Sequence, residues 1–343
     1  MLKLKHRLIF VLFLFLLITT VSFGQKRIKI KMATLAPKGS PWHEVLMKMG
    51  REWQEVTNGR IIFKIYPDGV AGDEDAMIRK IRIGQFQAAA LTFNGIAFID
   101  PSVNAFAIPM LYDNYEQLDK VRDIVEGEIR RRIEAKGFIL LAWADVGWIR
   151  FFSTEPMRTP EELKKMKMFT WAGDEVALRM WKNAGYRAVP LQPVDILTGL
   201  QTGLINSFSS PPFGALSSQW FGIANHMLDL PFAPFTGGFV LDKKTWDNIP
   251  DEYKPDLIAA ADRVAKKIKD DLRHGDQAFI DAMVKHGLTV HEANAETRTL
   301  WRETARTFYT DLRGDFVPAD IFDRVVSLSD SIRLVDSANT TGH

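Results

Sequence analysis

Not one cysteine occurs among the 343 residues of this chain. That absence excludes disulfides, thiolate metal sites, a cysteine nucleophile and lipid attachment through a lipobox cysteine, so an exported protein of this kind relies on its core alone. A surplus of one charge is missing too, with 44 Lys and Arg against 42 Asp and Glu. The short basic runs at Arg130–Arg132 and Lys164–Lys167 read as solvated faces, and no nucleic-acid partner is indicated. Catalytic signatures are also lacking: there is no P-loop, no G-x-G-x-x-G, no G-x-S-x-G and no H-E-x-x-H. The seven histidines are scattered; His226 and His286 sit beside apolar residues and read as structural. Asp73, Glu74 and Asp75 cluster where a helix is expected to begin, so they read as caps favoured by the helix dipole rather than as metal ligands. No metal and no cofactor is expected.

What is present begins with a leader. Lys3, Lys5 and Arg7 precede the apolar run Leu8–Ile18, and Ser22-Phe23-Gly24 offers a small-x-small cleavage site, the pattern of a signal peptide over 1–24. A membrane anchor wants about 20 apolar residues, whereas this run breaks at Thr19–Thr20. The expected product leaves the cytoplasm.

Beyond the leader, strand and helix patterns alternate. Ile28–Met32 has period two; Ser40–Pro41 opens a helix whose stripe is Trp42, Val45, Leu46, Met49 and Trp53, and Asn58–Gly59 ends it. Strands follow at Ile61–Tyr66 and Ala88–Phe93, with a helix from Asp73 to Ile83 between them. A stripe from Leu118 to Ile133 leads to a strand over Phe138–Ala144. A second unit starts near Gly147, with strands at Ile149–Ser153, Lys167–Trp171, Ala188–Leu191 and Leu204–Phe208 and helices at Asp174–Ala184 and Val194–Thr202. This alternation implies a mostly parallel sheet covered by helices, an α/β fold. From about Asp251 to His286 a helical period persists for roughly 50 Å. One lobe of this size is narrower than that, so the helix is expected to lie across two lobes.

An ordered set of motifs carries a family resemblance. It comprises Lys31-Met-Ala-Thr-Leu-Ala-Pro-Lys-Gly-Ser-Pro41, Asn58-Gly59-Arg60, Tyr66-Pro67 before Gly72, Ile83-Gly84, and Ile108-Pro109 with Tyr112. Met157-Arg-Thr-Pro-Glu-Glu-Leu163, Leu200-Gln-Thr-Gly203, and Trp246 with Ile249-Pro250 complete it. In this order the chain resembles the solute-binding subunits of tripartite ATP-independent periplasmic (TRAP) transporters. The resemblance implies a periplasmic-binding-protein-like fold: two α/β lobes joined by hinge strands, with the long helix spanning both. Lobe I is expected over 25–147 plus about 236–275, and lobe II over 148–235 plus about 276–335. It further implies a periplasmic receptor that is not an enzyme, closes on a small-molecule solute and docks on TRAP-type membrane permease subunits. Monomer and homodimer both stay open.

The family usually clamps a carboxylate with an arginine in a motif like Leu-Lys-Gly-Leu-Lys-Ile-Arg. The matching run here, Leu163-Lys-Lys-Met-Lys-Met-Phe169, ends in Phe169. The partner motif, usually Asp-Gly-x-Glu-Asn-Pro, reads Asn206-Ser-Phe-Ser-Ser-Pro211, with Ser209 and Ser210 in place of the acid and the amide. A phenylalanine offers neither the charge nor the planar fork that suits arginine to carboxylates, so a neutral or hydrophobic ligand is expected. Period two puts Trp171 on the same side as Phe169. Phe208, Phe213, Trp148, Phe93, Asn94 and Thr34 complete the expected ligand-binding set. Two alternatives remain open: a relocated clamp from Arg150 or Arg187, and an exported hydrolase using Ser209 or Ser210 with His226.

Overall fold

The computed structural model describes residues 27–341, and the leader read at 1–24 lies outside them. The first unit runs β1 (Ile28–Thr34), α1 (Pro41–Val56), β2 (Ile61–Tyr66), α2 (Glu74–Arg82) and β3 (Ala88–Thr92). Helix α1 starts where a hydroxyl cap and a proline coincide: Ser40 accepts the His43 N–H, and Pro41 fills a position that needs no N–H. It ends at Asn58 and Gly59, both in the left-handed region. Its core face is pinned to the opposite end of the chain by Trp53, whose indole N–H donates to the Leu257 carbonyl at 3.0 Å.

Helix α3 (Tyr115–Ala135) leads into β4 (Phe138–Ser153), one continuous strand of 16 residues. The second unit contains β5 (Lys167–Trp171), α4 (Glu175–Asn183), β6 (Arg187–Leu191), α5 (Ile196–Gln201), β7 (Ser207–Ser210) and α6 (Pro212–Ser217). The chain returns through β8 (His226–Asp242), forms α7 (Lys254–Lys285), adds β9 (Thr289–Glu292) and closes with helices that end at Thr341.

The nine strands among the described residues belong to one sheet, in the order β2-β1-β3-β8-β4-β7-β5-β6, with β9 on β8. Its register resolves it into two half-sheets that share β4 and β8. The stretch 237–241 of β8 lies between β3 and the first half of β4, whereas 226–228 lies between β9 and the second half of β4. The outer strands pair parallel, as α/β alternation requires, but β3/β8, β4/β8 and β4/β7 are antiparallel. The sheet is therefore mixed rather than mostly parallel, because its central strands cross between lobes and return. At the crossing the register shifts between Asp145 and Gly147, opposite Phe235 and Thr236. Gly147 has φ 137°, and a Cβ there would approach Pro211 Cβ to 3.2 Å, so backbone freedom and space both call for glycine.

At 32 residues α7 is about 48 Å long. Leu257, Ala261, Val264, Ile268 and Leu272 join the core formed with α1 and β1, while Ile280 and Met283 join a separate core with Phe152, Phe169 and Phe208. One helix thus contributes to both lobes. Among the described residues, no helix is long and apolar enough to cross a membrane.

Candidate functional site

A cavity of about 470 Å³ opens between the half-sheets. One wall comes from the end of β1 (Thr34), the start of α1 (Ser40, Trp42) and the end of β3 (Ala90, Leu91, Thr92). The facing wall comes from β5 (Phe169, Trp171), β7 (Ser209, Ser210), α5 (Ile196, Leu197) and α6 (Phe213). Val146 and Phe235, beside the crossing on β4 and β8, also line it. Phe169 is only 3 % exposed. The pleat of β5 turns it and Trp171 to one side, with ring centroids 6.2 Å apart.

Polar groups at this wall are few and mostly engaged. Ser40 caps α1, Thr34 Oγ1 accepts the Ala36 N–H at 3.1 Å, and the Ser210 hydroxyl donates to the Pro211 carbonyl at 2.9 Å. The charged residues in the lining are Asp68 and Glu74; no Lys, Arg or His among the described residues lines this cavity. Glu74, 3 % exposed, accepts the Thr92 N–H at 2.7 Å and the Thr92 hydroxyl at 2.6 Å. Burial pushes its carboxyl up to about 7; bonds from Thr92 and Gly95 oppose the shift and Asp73 adds to it.

A second cavity of about 260 Å³ adjoins the first, and Glu74 and Trp171 border both. The starts of α2 and α4 line it together with Asn94, Asn104 and Gln192. Gln192 Nε2 donates to Asp73 Oδ2 at 3.0 Å, a bond from one lobe to the other. Among the described residues, no group of three or more His, Asp or Glu is placed to hold a metal ion.

Of the residues singled out from sequence, Phe169, Trp171, Ser209, Ser210, Phe213 and Thr34 line the larger cavity, and Asn94 lines the smaller. Three others lie behind these walls. Phe208 faces the other side of β7 from Ser209, stacked on Phe152 at 4.9 Å. Trp148 is buried against Tyr115 at 5.5 Å. Phe93 packs edge-on against Phe235 at 5.2 Å and so supports a lining ring without lining the cavity. Neither candidate for a relocated cation borders either cavity. Arg150 is buried and bonded to Asp229 at 2.8 Å and Asp276 at 2.7 Å. Arg187 is exposed beside Lys167, at the end of β5 away from Trp171. His226 is also outside the lining, its Nδ1 lying 3.0 Å from His291 Nε2. Sequence reasoning missed Glu74, Trp42, Trp220 and Phe235 as wall residues.

Two lobes sharing crossing strands, with a cavity at the junction and one helix contributing to both cores, define a two-lobed solute-binding protein. The model of the family described as bacterial extracellular solute-binding protein, family 7, matches residues 32–314, and the chain belongs to that family. It is 25 % identical over 250 residues to the 2,3-diketo-L-gulonate-binding periplasmic protein YiaO of Escherichia coli, covering 72 % of this chain and 76 % of that one. It is 23 % identical over 292 residues to the C4-dicarboxylate-binding periplasmic protein DctP of Rhodobacter capsulatus, covering 83 % and 86 %. Among solved structures, the sugar acid binding protein DctPAm of Advenella mimigardefordensis, in complex with galactonate, superposes with TM-score 0.82 at 19 % identity, covering 89 % of this chain and 99 % of that one. A TRAP periplasmic solute-binding protein of Xanthobacter autotrophicus with bound β-D-galacturonate gives 0.80 at 19 % identity, covering 88 % and 99 %.

Proposed function

We propose that this chain is the periplasmic solute receptor of a TRAP-type transporter, that it performs no chemistry on its solute, and that the solute is uncharged and apolar where it meets Phe169. The observation that carries the ligand assignment is the wall itself: Phe169, Trp171, Phe213, Trp42, Trp220 and Phe235 line the larger cavity, with no cation beside them among the described residues. The relatives whose names specify a solute bind acids, as YiaO and DctP do. An acid brought to this wall would lose hydration worth several kcal/mol without a compensating cation. Apolar surface covered by the same rings gains ~25 cal/mol per Å².

A cation moved to another strand is the competing reading, and the partners of Arg150 speak against it. Its guanidinium already serves Asp229 and Asp276. A hydrolase reading is equally disfavoured, since the Ser210 hydroxyl serves the Pro211 carbonyl and His226 meets His291. Binding would instead close the lobes about β4 and β8, and the closed form would dock on the permease subunits.

Native mass spectrometry on protein purified from the periplasm, followed by denaturation and identification of what is released, tests this directly. A retained molecule without a free carboxylate is expected. A small carboxylic acid released from the cleft would refute the ligand assignment.

A further inference from the structure

The two lobes also meet beyond the larger cavity, along a seam between the stretches 68–98 and 169–197. Asp73 precedes α2 in one lobe, and Gln192 follows β6 in the other. Asp73 divides its carboxylate between them. Its Oδ1 accepts the Ala76 N–H at 2.7 Å and so caps α2, while its Oδ2 accepts from Gln192 Nε2 at 3.0 Å. The cap fixes the acceptor, because the carboxylate cannot turn without losing it. On the donor side, the Leu191 carbonyl accepts the Ala172 N–H at 3.0 Å, and Pro193 restricts the backbone on either side of its own nitrogen. Both ends of the bond are therefore carried by ordered backbone.

Among the described residues, no other hydrogen bond or ion pair joins these two stretches. The lobes also touch at Gly173, φ 94°, where a Cβ would lie 3.5 Å from Phe98 Cζ. Neither Asp73 nor Gln192 lines the larger cavity, so their bond contributes to closure and not to recognition of a solute held there. Swinging the lobes apart about β4 and β8 separates the two side chains and lets water take each partner's place. A contact made in one state only shifts the population toward that state.

We propose that the Asp73–Gln192 bond is the latch of the closed receptor: it sets the ratio of closed to open molecules and, through it, how fast solute escapes. What closure is for rests on the receptor reading; the bond between lobes does not.

The absence of cysteine lets two spin labels be placed without competition. Glu55→Cys on α1 and Lys182→Cys on α4, both at exposed positions, put one label on each lobe. Pulsed dipolar spectroscopy then reads the distance between them in protein purified from the periplasm. Gln192→Ala should lower the closed-to-open ratio about tenfold, the effect of one hydrogen bond to a charged group. Gln192→Glu, which sets a second carboxylate against Asp73, should lower it further. In native mass spectra the fraction of chains still carrying solute should fall in the same order. Distance distributions that coincide for wild type and both variants, whether all short or all long, overturn the latch. Solute retained by wild type in those spectra keeps the receptor reading in that case, so the two fail separately.

Discussion

The crossing between lobes is held by charge, and Asp145→Asn measures how strongly. Asp145 sits on β4 at the register shift, almost fully buried, and accepts from Arg122 Nη2 at 2.7 Å and from Arg273 Nε at 3.0 Å. Arg273 comes from α7 and also reaches Asp119 on α3 at 2.7 and 2.8 Å, with its guanidinium 4.0 Å from the centre of the Tyr115 ring. Lys269 adds a bond to Asp119 at 2.9 Å. Replacing Asp145 by Asn leaves Arg273 with Asp119, but leaves buried Arg122 with a longer contact to Asp119 at 3.7 Å and the faces of Phe106 and Trp143. Breaking a buried pair costs about 3–5 kcal/mol, and with one arginine still served the lower figure applies. For a chain of this length ~3 kcal/mol corresponds to a fall in Tm of about 4–5 °C, read by calorimetry. Burial alone would raise both acids. Arg122 and Arg273 outweigh it at Asp145, and Arg273 and Lys269 do so at Asp119, holding the latter at about 2. Such lowered groups add stability above their unfolded value, and that contribution is lost as pH falls through the folded one. The gap between wild type and Asp145→Asn should therefore be full above the ordinary carboxylate value of 3.8 and close only as pH falls below it, through the lowered folded value of Asp145. Removing both charges in Asp145→Leu with Arg122→Met should recover much of the loss, since an apolar pair can replace a buried ion pair at little cost. A shift below about 1 °C for Asp145→Asn would refute the picture of a desolvated brace.

Three further outcomes are expected. Phe169→Arg should confer binding of glucuronate about tenfold or more above wild type in titration calorimetry, since a bidentate cation enters the wall, at a stability cost of about 3 kcal/mol for the lost buried ring. Glu74 has a raised folded pKa, so its contribution is full below the ordinary 4.5 and lost as pH rises through about 7. Wild type should therefore lose on the order of 3 kcal/mol between pH 5 and 8 in urea titrations, and Glu74→Gln should flatten that dependence. Gly237→Ala should destabilise by about 3 kcal/mol in the same assay, because its Cβ would lie 2.5 Å from the Leu91 carbonyl oxygen, on backbone that cannot yield without parting β3 from β8.

Elements with local signals were legible in the sequence. The long helix expected over Asp251–His286 is found at Lys254–Lys285, because an apolar stripe at helical spacing needs no knowledge of its partner. Caps are local in the same way: Ser40, Asp73 and Asp174 all accept from an N–H three residues ahead. The crossing strands escaped. Pro231, Pro234, Gly237 and Gly238 punctuate β8, and Gly147 divides β4 into two apparent strands, although pairing along both sides carries each through. Prolines and glycines predict breaks from local preference, and here tertiary pairing overrides that preference.

The site divides along the same line. Phe169 and Trp171 could be placed together because a strand alternates with period two, and the same rule applied to β7 would have sent Phe208 away from Ser209. Glu74 read as one more acid at a helix start because Thr92, the partner that buries it, lies 18 residues away. Arg150 read as a free cation because Asp229 and Asp276 lie 79 and 126 residues away. Charge is almost balanced over the whole chain, so composition says nothing about the cleft; the assignment of partners does. Arg122, Arg150 and Arg273 are taken up by carboxylates around the crossing strands, and no Lys, Arg or His among the described residues lines either cavity. The wall of the larger cavity presents rings and no arginine among the described residues, a local distribution that the net charge of the protein does not reveal.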